Sequence, residues 1–296
     1  MKSAALALPA LALMAGALAG CSAGADPAKP GQVTVAASFY PLAWVSEQIA
    51  PDAAVTDLTR PGLEPHDVEL SFSQTVDLAR ADLVVYERGF QPAVDQGVDN
   101  DAEGATLDVG PVAGLQDFAS DPGQVDPHFW QDPLKLAAVA GAVARELGRI
   151  DPAHAAAYDA RATALRHRLT ALDRAYRTGL ADCARTTVVT SHEAFGYLAR
   201  YGLRVEPITG LAPGAEPTPA DLARLQELIR DEGITTVFSE TLASPAAADA
   251  LAHDLGVRSE VLDPIEGLSD ATADQNYLTL MRRNLAALEE ANGCTT

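Results

Sequence analysis

Between residues 152 and 180 one apolar stripe runs unbroken. Tyr158, Ala162, Leu165, Leu169, Leu172, Tyr176 and Leu180 step by three and four. That spacing puts all seven on one face of an α-helix, while Arg161, Arg166, Arg168, Asp173 and Arg177 fill the other faces. Roughly 30 residues at ~1.5 Å each make a helix of about 45 Å, long enough to cross a whole lobe. Residues from 133 onward are already helical in pattern, and Asp151-Pro152 restarts the helix with a fresh cap.

The flanks are built differently. Short β-branched runs at 32–39, 53–58, 81–86 and 105–109 precede the stripe, with helical stretches at 40–49 and from Ser73 between them. After it, runs at 187–190, 235–239 and 257–262 alternate with helical stretches at 192–201, 219–231, 245–255 and 271–291. Strands alternating with helices predict parallel sheets. The expected fold class is α/β: two parallel-sheet lobes joined by a single long helix. The expected division is an N-terminal lobe over 32–132, a linking helical segment over 133–182 and a C-terminal lobe over 183–296.

A chain of 296 residues, 48% apolar, can fill two such lobes. A formal charge of −20 excludes nucleic acid as a partner, because phosphates would be repelled. The first twenty residues carry one charge, Lys2, ahead of an apolar run and Leu18-Ala19-Gly20-Cys21. This is the pattern of a signal peptide over 1–20. Its junction resembles a bacterial lipobox, which implies cleavage before Cys21 and lipidation of its thiol. Residues 21–31, rich in Ala, Pro and Gly, then form a tether. The remaining two cysteines, Cys183 and Cys294, are expected to form one disulfide in an exported protein.

Six histidines are present. His154, His167 and His253 lie in helical patterns among charged or small residues and read as solvated surface. His66, His128 and His192 all fall where a strand passes into a helix. In a parallel sheet those connections share one edge, where ligands bind. His128 stands in Asp126-Pro127-His128-Phe129-Trp130-Gln131-Asp132-Pro133, a rigid loop at the mouth of a helix. Asp263, at the end of the 257–262 strand and followed by Pro264, is the carboxylate placed in the same way, with Glu240 as a close competitor. Three imidazoles and one carboxylate make a four-coordinate N/O site that suits Zn²⁺, whereas Mn²⁺ favours more oxygen. Other chemistries lack their motifs: there is no Gly-rich phosphate loop and no Gly-x-Ser-x-Gly elbow.

Four stretches together resemble the zinc- and manganese-binding lipoproteins that feed bacterial ABC importers. They are Gly62-Leu63-Glu64-Pro65-His66-Asp67, Asp126-Pro127-His128-Phe129-Trp130, Ser191-His192-Glu193-Ala194-Phe195-Gly196-Tyr197 and Leu262-Asp263-Pro264-Ile265-Glu266-Gly267-Leu268. The resemblance implies the metal-receptor type of periplasmic binding protein fold, with the ion at the lobe interface. It places ligands at His66, His128, His192 and Asp263, and Glu240 as a supporting or alternative group. His192 at the third position points to the zinc-binding subgroup. The implied function is a monomeric receptor, lipid-anchored at Cys21 on the outer face of a membrane, that carries Zn²⁺ to an ABC permease and breaks no bond. A manganese or iron receptor, an adhesin using the fold, or a zinc hydrolase with an open coordination position are the alternatives. Many zinc members carry a His-rich loop between the first two ligands. Here the region offers Asp95, Asp99, Asp101 and Glu103, expected to form an acidic loop able to gather cations.

Overall fold

The computed structural model describes residues 29, 31–211 and 213–295. The expected signal peptide, Cys21 and nearly all of the tether lie outside them. The first half is a four-stranded parallel sheet in the order β2-β1-β3-β4, from β1 (Thr34–Ala37), β2 (Ala54–Asp57), β3 (Leu83–Tyr86) and β4 (Ala105–Asp108). Its crossovers are α1 (Tyr40–Ile49), α2 (Phe72–Arg80) and α3 (Pro92–Asp101). The α2 helix starts on a capping box in which Ser71 and Gln74 satisfy each other's backbone N–H groups.

After β4 come a short α4 (Gly110–Ala113) and an antiparallel pair, β5 (Gln116–Asp117) and β6 (Val125–Asp126). A 3₁₀ turn over Phe129–Gln131 then leads into α5 (Pro133–Ile150). Asp132 caps α5 by accepting the Leu134 N–H, and Pro133 occupies its first turn. The α6 helix (Ala155–Gly179) follows the break at 151–154.

The second half repeats the layering, with a parallel sheet in the order β10-β9-β7-β8. Its strands are β7 (Thr187–Thr190), β8 (Arg204–Pro207), β9 (Thr236–Ser239) and β10 (Arg258–Val261), with helices α7 (Pro219–Asp231), α8 (Ala246–Leu255) and α9 (Tyr277–Asn292). All seven residues of the predicted stripe are buried, from Tyr158 to Leu180. Through them α6 packs on α5 and α1 at one end and on α9 at the other, so one helix touches both halves. The main core is continuous across this junction.

The linking stretch is two helices, broken where Asp151-Pro152 is expected to restart it, and the long amphipathic one is α6. Two local expectations need correction. Residues 192–201 do not form an α-helix: a bent loop carries His192 and only Gly196–Tyr201 is helical, as 3₁₀. The acidic stretch is largely helix α3 rather than a loop, and two of its carboxylates are engaged. Asp95 accepts the Gly89 N–H, and Asp99 pairs with Arg88. The Pro-started helix reads as a loop in one dimension because it carries few apolar residues.

Cys183 and Cys294 are disulfide-bonded, as expected. The bond ties the residues just after α6 to those just after α9. Among the described residues no helix is long and apolar enough to cross a membrane.

Candidate metal centre

The carboxyl edges of the two sheets face each other across the junction, and the three predicted histidines meet there. His66 comes from the loop after β2. Its approach is set by Gln91, whose amide donates to Thr59 Oγ1 and to the carbonyl of Pro65. The Phe90 ring stands edge-on to the imidazole, with centroids 4.8 Å apart. His66 is the only one of the three with side-chain exposure, 20%.

His128 and His192 are fully buried, and each is held by a carboxylate in the same manner. Asp126 Oδ1 accepts both the backbone N–H of His128, at 2.9 Å, and its ring Nδ1, at 2.8 Å. Glu240 takes the His192 N–H on one oxygen at 2.9 Å and Nδ1 on the other at 2.6 Å. With Nδ1 donating, the Nε2 lone pair of each ring points into the junction. His192 Nε2 has no hydrogen-bond partner. Glu240, weighed as a ligand from sequence, is thus engaged behind His192.

The fourth member is Glu266. Its Oε1 lies 3.2 Å from His128 Nε2 and 3.5 Å from the Nε2 atoms of both His66 and His192. The Nε2 atoms of His66 and His128 are 3.3 Å apart. A tetrahedral zinc site with bonds of ~2.05 Å has edges of about 3.3 Å. Four edges of this cage therefore already have the dimensions of zinc coordination. Both Glu266 oxygens are buried without a hydrogen-bond partner of good geometry, a costly state unless a cation completes the site.

Asp263, the expected carboxylate, is not in this group. Its Oδ1 accepts the Ile265 N–H at 2.8 Å and so organises the turn that delivers Glu266. Ile265 has a φ of 61°, and it is the one non-glycine with positive φ among the described residues. A β-branched residue is strained there. The turn is held in place because Pro264 O accepts from both Trp130 Nε1 and Gln131 Nε2, across the junction. The left-handed residue reverses the chain, so Glu266 rather than Asp263 enters the cage. Glu266 lay within the recognised stretch 262–268, but nothing in one dimension signals the reversal.

The electrostatics suit a cation. Burial alone would raise the Glu266 carboxyl, but the imidazoles of His128, His192 and His66 outweigh it and hold the group well below its usual range. Burial opposes protonation of His192, yet Glu240 and Glu266 prevail and push it up to about 10. His128 is also raised, by Asp126 and Glu266 acting against burial. His66 is lowered, first by burial. Glu64, another residue of the recognised motif, is pushed up to about 8 by burial and by Glu266. No lysine or arginine belongs to the group of four.

The sequence model of the family described as zinc-uptake complex component A, periplasmic, matches residues 35–291. The zinc-binding lipoprotein AdcA of Streptococcus pneumoniae is 32% identical over 279 residues, covering 88% of this chain and 56% of AdcA. The chain thus spans about half the length of that relative. The high-affinity zinc uptake system protein ZnuA of Bacillus subtilis is 30% identical over 290 residues, covering 90% of each protein. Among solved structures, the Zn(II)-bound ZnuA-like domain of S. pneumoniae AdcA superposes with a TM-score of 0.77 at 32% identity, covering 88% of this chain and 99% of that one.

Proposed function

The chain belongs to the zinc-uptake complex component A family, and from that premise we propose that it is a receptor that captures Zn²⁺ between its two halves and delivers it to an ABC permease. The proposed ligands are the Nε2 atoms of His66, His128 and His192 and the carboxylate of Glu266. The carrying observation is the match between four of the six cage edges, 3.2 to 3.5 Å, and those of a tetrahedral zinc site. Asp126 and Glu240 orient the rings and raise their basicity.

The protein acts as a carrier, not an enzyme. Protein atoms supply all four corners of the tetrahedron, which leaves no vertex for an activated water. Three nitrogens and one oxygen favour zinc over manganese. The junction is stitched by Trp130 and Gln131 to Pro264, by Tyr277 Oη to Trp130 O, and by Tyr197 Oη to Asp126 O. These bonds oppose wide opening, so release proceeds through the His66 loop, the one partly exposed wall of the cage.

The working division is a lobe over 32–132, a helical link over 133–182 and a lobe over 183–296. The receptor works as a monomer, exported and anchored through a lipid on Cys21. The test is metal competition on the stripped protein, offered Zn²⁺, Mn²⁺ and Fe²⁺ together, with bound metal counted by native mass spectrometry. One zinc per chain, lost in His192→Ala, is expected. A preference for manganese would overturn the zinc assignment.

A further inference from the structure

A second cavity, of about 300 Å³, opens beside the cage. His66 forms one wall, and Phe90, Leu115, Phe118 and Val125 form much of the rest. Among these apolar walls stands one carboxylate, Glu87, directly after β3 at the carboxyl edge of its sheet. Glu87 is 2% exposed, and its Oε2 has no hydrogen-bond partner. Arg88 also lines the cavity but does not pair with Glu87: its guanidinium is bound to Asp99 and to Tyr86 Oη. Burial first, and then the carboxylates Asp126, Asp108 and Asp95, push its carboxyl well above the usual range.

A buried carboxylate surrounded by like charge is expensive, so in the metal-free protein the group is held neutral, and the pairing of His128 and His192 with Asp126 and Glu240 does not use it. A cation entering the cavity would offset the negative charge and let it serve as a ligand. Six waters at ~30 Å³ each occupy about 180 Å³, so a hydrated divalent ion fits this space. We infer that Glu87 and the cavity around it form a second, transient cation site, where a hydrated divalent ion is held and partly stripped before passing to His66. This rests on the zinc-receptor assignment. Glu87 and then His66 can replace departing waters one at a time, and His66 is shared by the cavity and the cage, so the ion need not return to solvent between them.

A transit site lowers the barrier in both directions. Glu87→Gln should therefore slow Zn²⁺ association and chelator-driven release together, each about tenfold, with equilibrium affinity within about twofold of the unmodified protein. Stopped-flow mixing of metal-stripped protein with Zn²⁺, and of zinc-loaded protein with a chelator, reads both rates. Gln124, exposed at the rim of the same cavity, supplies a variant that spares the buried carboxylate. Gln124→Lys should also slow both rates, and it decides the matter if Glu87→Gln fails to fold. Asp231, exposed at the C-terminal end of α7, lines neither this cavity nor the cleft beside Glu64 and Ser191, so Asp231→Lys should leave both rates unchanged. Unchanged rates in a folded Glu87→Gln, unchanged rates in Gln124→Lys where Glu87→Gln does not fold, equal slowing in Asp231→Lys, or a large loss of equilibrium affinity in Glu87→Gln would each overturn the inference. Failure of the unmodified protein to bind zinc would instead remove the receptor assignment, and this one with it.

Discussion

Asn284 grips Asp263 at both of its backbone groups. The Asn284 side-chain oxygen accepts the Asp263 N–H at 3.0 Å, and its amide donates to the Asp263 carbonyl at 2.6 Å. Helix α9 thereby fixes the start of the turn whose third residue onward, Glu266, closes the metal cage. Asn284→Ala should leave two buried backbone groups unpaired and cost about 2–4 kcal/mol of stability. Because the turn loosens, zinc affinity should drop roughly tenfold as well. Denaturant melts and chelator competition check the two effects. A large loss of stability with unchanged affinity would uncouple the turn from the cage.

Glu266 and Asp263 are separable by isosteric exchange. Glu266→Gln should weaken zinc by more than roughly a hundredfold, beyond the 10–100-fold effect of losing a supporting group. Asp263→Asn keeps an oxygen that can accept the Ile265 N–H and should stay within about threefold of the unmodified protein. Competition with a chromogenic chelator measures both. The reverse ranking would restore Asp263 as the ligand.

Glu240→Gln keeps the shape of the group behind His192 but removes its charge. Zinc affinity should fall about 10–100-fold without loss of the bound ion at saturation. The same change should bring the His192 ring down from its raised value, which NMR titration of the metal-free protein would show. Unchanged affinity and titration would argue against a role for that carboxylate in tuning the ligand.

The stability of the metal-free protein and the increment that zinc adds to it should respond to pH with opposite sign. His192 in the folded state is raised to about 10 from an ordinary value of 6.5, so its stabilising effect is complete below 6.5 and lost as pH rises towards 10. Glu266 is lowered, so its contribution is present above 4.5 and fades only at more acid pH. The pair therefore favours the metal-free fold most between about 4.5 and 6.5. Zinc must displace the His192 proton, so its stabilising effect grows as pH rises. Between pH 6.5 and 9.5 the metal-free melting temperature should fall by about 5 °C or more, while the increment from saturating zinc increases. Differential scanning fluorimetry at three pH values is sufficient, and a flat metal-free profile would contradict the His192–Glu266 coupling.

Removing the disulfide should separate stability from binding. The Cys183–Cys294 bond closes a loop of 111 residues, worth about 4–5 kcal/mol in the chain-entropy model. The Cys183→Ser, Cys294→Ser double variant should unfold at lower denaturant with zinc affinity within about twofold. A parallel collapse of binding would show that the metal centre depends on that tie.

Much of this protein is determined by local pattern. The α6 stripe and the β-branched runs follow from periodicity, which survives in one dimension because each residue's face is set by its near neighbours. The three histidines were legible for a related reason: each follows a strand, and parallel sheets bring such positions to one edge. Helix α3 was not legible, since its apolar residues are too few to mark a face. The choice between Asp263 and Glu266 was not legible either. It turns on the positive φ of Ile265, a strained conformation that local propensity opposes. Asp263 Oδ1 supports it locally by accepting the Ile265 N–H, and contacts from distant parts of the chain hold it in place: Trp130 and Gln131 on Pro264, and Asn284 on Asp263. Glu87 follows a strand as Glu240 does, but nothing in one dimension marks it as buried. Its isolation among apolar walls exists only once β3, the β5–β6 pair and the His66 loop have come together. Residue type and spacing thus determined which side chains could meet an ion, and long-range hydrogen bonding and burial decided which carboxylates face it.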